Sequence, residues 1–127
     1  MKIIIDSYAW IEYLEGKISG QKVNDILKKE NEIYTLNLTI SEIVSRVKRK
    51  GGNSELAYNA IISNSRIINV PPKLAKEAGL LHAEIKKKIK DFGLMDSIIL
   101  ASARELGAKI ITGDTHFKGF KETIFIG

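Results

Sequence analysis

Five short runs of β-branched and aliphatic residues are spread along the chain: KIII at Lys2–Ile5, EIYTLN at Glu32–Asn37, RIINV at Arg66–Val70, KIIT at Lys109–Thr112 and TIFI near the end. Between them lie segments whose apolar residues recur at helical spacing. This alternation constrains the fold more than any other feature. Parallel neighbours need a long crossover, which a helix normally supplies. An uninterrupted run such as Ile3-Ile4-Ile5 also belongs in a sheet covered on both faces. The expected class is therefore α/β, a three-layer α/β/α architecture around a parallel sheet of about five strands. In such sheets ligands bind beyond the carboxyl ends of the strands, near the point where strand order reverses.

The intervening helices are expected at definite places. Ser7 can cap a helix carrying Trp10, Tyr13 and Leu14, stopped at Gly16. Val23, Ile26 and Leu27 mark a second, and Ile40, Ile43, Val44 and Val47 a third that ends at KGGN, 50–53. A fourth covers 54–63, Pro71 and Pro72 open a fifth that carries Leu74, Ala78, Leu81, Ile85 and Ile89, and a sixth runs over 94–106 to Gly107. With no repeat and no linker, residues 1–127 read as one domain. No apolar run approaches the ~20 residues of a membrane span, and the start is too short for a signal-peptide core. Cysteine is absent, which excludes disulfides and thiolate metal sites. A cytoplasmic, membrane-free protein is expected.

Four carboxylates occupy positions of interest. Asp6 follows the first strand and Asp114 lies just past the fourth. Glu42 is expected in the first turn after the second strand. Asp96 heads a helix whose inward stripe is Ile99, Leu100 and Ala103. Each also has an ordinary structural explanation. Asp6 fits a turn, Thr39-x-x-Glu42 matches a capping box, Glu42 stands four residues before Arg46, Asp96 suits a helix dipole, and TGDT reads as a capped turn. Their joint placement at strand ends carries more weight than any single position.

If these acids meet, each like-charge pair at about 5 Å repels by roughly 3 kcal/mol at an effective dielectric of about 20. A domain with a total stability of about 5–15 kcal/mol does not use several such pairs for structure alone. They must share protons or hold a cation. Oxygen donors without cysteine point to a hard ion, Mg²⁺ or Mn²⁺, and such ions act on phosphate esters. The net charge is +5, and with those four acids set aside the other 11 face 20 basic residues, which favours a polyanionic partner. Arg46 and Arg49 share the helix face of Glu42 and are the candidate phosphate contacts, a solvated outer face with one ion pair being the equal alternative. KKKIK at 86–90 reads as a solvated helix end, His82 as a rim residue and His116 as part of its turn. Trp10 and Tyr13 read as core or dimer contacts, and neither basic run has interleaved aromatics for base stacking.

With these residues in view, the chain resembles the PIN-domain ribonucleases, most closely the VapC-type toxins of toxin–antitoxin pairs. The resemblance rests on IIIDSYAWIEYLEG, TISEIVSR and GLMDSIILASARELGAKIITGDTHF, in that order. It implies metal-dependent hydrolysis of RNA phosphodiester bonds, with Asp6, Glu42, Asp96 and Asp114 as catalytic, metal-binding acids. Thr112 and Ser7 would support them. It also implies a VapB-like antitoxin partner and a homodimer. Three rivals stand beside it. A phosphoacceptor receiver domain needs an aspartate ending the third strand, and INVPP has none. An inactive PIN-like RNA- or protein-binding module would not need the full acid set. A PIN nuclease of RNA processing or quality control would differ from a toxin in its neighbouring gene.

Overall fold

The computed structural model describes residues 1–127. The strands are β1 (Lys2–Ile5), β2 (Glu32–Leu36), β3 (Arg66–Ile68), β4 (Lys109–Thr112) and β5 (Thr123–Phe125), and the helices α1 (Ser7–Leu14), α2 (Gly20–Lys28), α3 (Asn37–Arg49), α4 (Ser54–Asn64), α5 (Pro72–Ile85) and α6 (Leu94–Leu106). All four strand pairings are parallel, in the order β3-β2-β1-β4-β5. Ile3 is level with Ile33 on β2, and Ile4 with Ile110 on β4. The expected five-stranded three-layer architecture is what the chain adopts.

The triple isoleucine of β1 shows why the run is uninterrupted. Ile3 and Ile5 point to one face, where they pack with Trp10, Ile11, Val23, Ile43 and Ile61 from α1 to α4. Ile4 points to the other, against Phe92, Ile99, Leu100 and Ala103 of α6 and its approach. Strand periodicity of two thus divides one apolar run between two cores. The Asp96 stripe behaves as expected, since Ile99, Leu100 and Ala103 are all buried. Gly107 ends α6 at a φ of 68°, the left-handed conformation that glycine adopts without strain.

Several local expectations are corrected. β2 runs into α3 without a loop, because Leu36 itself takes the extended cap conformation. Thr39 therefore lies inside the helix, buried and uncapping, and Glu42 sits in the second turn rather than the first. The Thr39–Glu42 capping box does not form. Nor does Glu42 pair with Arg46, whose Nη2 lies 3.9 Å from Glu15, the residue that closes α1, instead. α1 is capped by Asp6, whose Oδ1 accepts from the Ala9 N–H at 2.9 Å, so Ser7 is released from that task. α5 stops at Ile85, which leaves Lys86, Lys87, Lys88 and Lys90 exposed beyond it, while Ile89 still packs against the core from outside the helix. His82 is half-buried and its Nε2 lies 3.0 Å from the Phe92 carbonyl.

Trp10 is fully buried, and its indole N–H donates to Thr35 Oγ1 at 3.0 Å. Thr35 donates to Ser65 Oγ at 2.8 Å, and Ser65 to the Ile61 carbonyl at 2.7 Å. This chain of donors ties α1, β2, the start of β3 and α4 together beneath the site. Thr35→Val keeps the shape but leaves the indole N–H without its acceptor. It is expected to cost about 1–3 kcal/mol, measured as a lower urea midpoint at unchanged m-value.

Candidate metal centre

Strand order reverses between β1 and β4, and the acids gather at the carboxyl ends of those two strands. Asp6 is the first residue after β1. Asp114 is the second after β4, at the start of a single 3-10 turn, Thr115–Phe117. Asp96 comes from the first turn of α6 and Glu42 from α3. All four line one cleft of about 490 Å³, together with Ser7, Tyr8, Lys17, Arg46, Arg49 and Met95 among others. The structure thus brings the four sequence-predicted acids and both predicted arginines to one cavity. The 86–90 lysines do not line it.

Most of these acids have a structural task as well. Asp6 caps α1. Asp96 Oδ2 accepts from the Gly93 N–H at 3.2 Å, and Asp114 Oδ1 accepts from the His116 N–H at 2.9 Å. The ordinary readings hold for Asp96, at a helix start, and Asp114, in a capped turn, whereas Asp6 is the helix cap itself and not a plain turn residue. Thr112, fully buried, accepts from the Asp114 N–H at 3.0 Å, and its hydroxyl also acts on the Asp6 carboxyl. It therefore holds the two strand-end acids in register. Ser7 turns to Glu42, not to Asp6, and its hydroxyl favours that carboxylate.

The electrostatics show how costly the gathering is. Burial of Asp6 is the main reason its pKa rises from 3.8 to about 7, with Thr112 and the Ala9 N–H pulling down and the charges of Asp114 and Asp96 pushing up. Loss of water also raises Asp96, opposed by the Gly93 N–H and reinforced by Asp114. Glu42 is raised chiefly by desolvation, against the Ser7 hydroxyl, with Asp96 adding to the rise. No lysine or arginine forms an ion pair with any of the four acids. The cations of the cleft wall engage α1 instead: Lys17 reaches Glu12 at 3.6 Å and Glu15 at 3.3 Å.

Two residues here were not read as site residues from sequence. His116 Nδ1 lies 3.1 Å from Asp114 Oδ1. One ligand atom each from Asp96, Asp114 and His116 fall within 4.8 Å of one another, a group able to hold a metal ion. Asp6 and Glu42 stand outside that compact group while lining the same cleft. The Asp-x-His spacing was the available signal, because a tight turn puts both side chains on one side. The donors are oxygen-rich, lack a protein cation and include one imidazole, which fits a hard or borderline divalent ion. The second is Tyr8, exposed on the cleft wall although no stacking ring was expected there.

The family model described as PIN domain matches residues 3–122. The chain belongs to the PIN-domain family. Its backbone is similar to a chain of a toxin–antitoxin complex from Klebsiella pneumoniae, with a TM-score of 0.77 and 22% identity over 98% of both chains. It is likewise similar to VapC20 of Mycobacterium tuberculosis, described as a sarcin-ricin loop cleaving toxin (TM-score 0.75, 17% identity, 94% of this chain and 95% of that one). A third likeness is to VapBC2 of Rickettsia felis bound to a promoter DNA fragment (TM-score 0.75, 22% identity, 98% and 97% covered). At these identities the likeness is one of fold. No curated protein matches significantly. No helix of this PIN-domain protein is long and apolar enough to cross a membrane.

The Asp6 carboxyl gives the metal-free protein a signed pH dependence. Its folded pKa is above the unfolded value, so the stability it contributes is full below pH ~4 and lost as pH rises to about 7. At about 1.4 kcal/mol per unit the loss is on the order of 4 kcal/mol. Asp6→Asn keeps an oxygen for the Ala9 N–H and removes the titration. In EDTA the variant is expected to exceed wild type in urea stability near pH 8, and to show no such gain near pH 4. An equal difference at both pH values would contradict a buried, protonated Asp6.

Proposed function

We propose that this PIN-domain chain is a metal-dependent endoribonuclease that hydrolyses RNA phosphodiester bonds, and that it is the toxin of a VapBC-type pair. One observation carries the reading: the cleft has an acidic end that no protein cation neutralises, and cations along its wall. Asp6, Glu42, Asp96 and Asp114 are the catalytic acids in this reading, with Thr112 and Ser7 supporting them. Asp96 and Asp114, joined by His116, would hold Mg²⁺ or Mn²⁺, with Asp6 and Glu42 completing the anionic field. The imidazole nitrogen makes Mn²⁺ at least as good an occupant as Mg²⁺. When bound, the ion supplies Lewis acidity and positive charge at the scissile phosphate.

The chain's own residues account for the rest. Arg46 makes one long carboxylate contact, from Nη2 to Glu15 at 3.9 Å, and its side chain is 41% exposed although its Nε is buried. Its guanidinium is therefore free to take a phosphate oxygen. Arg49 lies nearly one turn further along α3, tethered only by a 3.3 Å contact from Nε to Ser45. Together they extend a phosphate track away from Glu42 along one helix face. No side-chain nucleophile is required, and cysteine is absent.

The toxin assignment is supported by the fold likeness to chains named as toxins or as parts of toxin–antitoxin complexes. It brings with it a VapB-like antitoxin that covers the cleft and a homodimeric state. The chemistry is tested with purified protein and a mixed single-stranded RNA. Cleavage is expected with Mg²⁺ or Mn²⁺, none in EDTA, and a loss of about a hundredfold or more for Asp96→Asn with the fold retained. Wild-type rates from that variant would remove Asp96 from the machinery, and binding without cleavage would favour an inactive module. Arg46→Ala is expected to weaken RNA binding and to lower the slope of log K against log salt by about 1. A co-expressed small neighbouring gene product that blocks cleavage would identify the antitoxin; its absence would favour a processing nuclease.

A further inference from the structure

We infer that Tyr8 is a stacking platform for an unpaired nucleobase beside the scissile phosphate, so that the cleft selects a splayed, single-stranded nucleotide at that position. The inference rests on the ribonuclease reading above.

Tyr8 is the only aromatic side chain lining the cleft, and 41% of the residue is exposed. It stands two residues after Asp6 in the first turn of α1. Its ring packs against Gly113, between Thr112 and Asp114. A β-carbon at position 113 would overlap ring atoms Cδ1, Cε1 and Cζ. The glycine of TGD is thus required by the close approach of this ring, and its φ is not among the positive ones. The ring is backed by main chain on one side and open on another, and its hydroxyl forms no hydrogen bond within the protein. It is held next to two of the four acids at once.

The layout orders the cleft. α1 leads from Asp6 and Tyr8 toward Glu12, Glu15 and Lys17, while α3 leads from Glu42 toward Arg46 and Arg49. The cations therefore lie about 6–10 Å along α3 from the acids, at 1.5 Å of rise per residue. The ring lies at the acid end. A polynucleotide with its phosphates on the arginines and one phosphate at the acids would meet the Tyr8 face with an adjoining base. A rigid tyrosine loses little entropy in such a contact, and stacking tolerates every base. The platform reads whether a nucleotide is unpaired, not which base it carries.

The test uses the full chain and an oligoribonucleotide spanning a mapped cleavage position. An abasic nucleotide replaces each of the two nucleotides flanking the scissile bond in turn. For wild type and Tyr8→Phe, one abasic substitution is expected to lower kcat/KM by about 5- to 150-fold, the equivalent of ~1–3 kcal/mol of stacking. Tyr8→Leu refills the contact on Gly113 without a π-face. It is expected to lose a similar factor on intact RNA and nothing further on the abasic one. Indifference of wild type to both abasic substrates would overturn the platform alone. Equal slowing of Tyr8→Leu on intact and abasic RNA would do the same, by making the ring a prop for the 112–114 turn. A wild type that cuts no RNA with either ion would overturn the nuclease reading and the platform with it.

Discussion

Four carboxylates that repel one another, placed where the strand order reverses, set the conditions for everything around them. Asp6 alone is driven to a pKa of about 7, chiefly by burial and further by its acidic neighbours. The fold tolerates this because each costly group is anchored to main chain or hydroxyls. Ala9 N–H holds Asp6, Gly93 N–H holds Asp96, His116 N–H holds Asp114, and Ser7 favours Glu42. Below them, Trp10 is fixed through Thr35 and Ser65 to α4. The platform is rigid where the charge is densest, which is the requirement for a preorganised ion site.

Much of this was legible in the sequence for stated reasons. Consecutive isoleucines announce doubly covered strands, and Gly107 or Pro72 marks a helix boundary by fixed backbone preferences. The convergence of the acids follows from parallel topology, since crossovers return every strand end to the same edge. What escaped depended on contacts across the fold. The start of α3 was misread because Leu36 supplies the cap conformation through its backbone alone, a role with no compositional mark. Arg46 turned to Glu15 rather than Glu42 because α1 packs beside α3, which helical spacing within one segment does not reveal. His116 required a three-residue turn too short to show periodicity. Tyr8 required Gly113, at the other end of the chain, to decide which aromatic of α1 stays outside.

The cleft also divides its labour. On one wall Lys17 is occupied by Glu12 and Glu15, while Arg46 keeps an unsatisfied Nε. Under the proposed nuclease reading, a polyanion entering there would exchange weak, solvent-screened pairs for charge-assisted bonds to phosphate. The acids at the far end pair with no lysine or arginine, and only Asp114 has an imidazole beside it.

The double duty of the aspartates bears on how related chains are to be interpreted. Asp6, Asp96 and Asp114 each satisfy an orphan N–H at the start of a helix or turn, so folding alone has a use for aspartate or asparagine at these places. A relative that had lost its chemistry would still be under pressure to retain a capping residue there. Glu42 caps nothing. Among the four, it is the residue whose replacement removes charge from the cleft without touching a helix start, and under the proposed nuclease reading its identity is the sharper marker of retained chemistry.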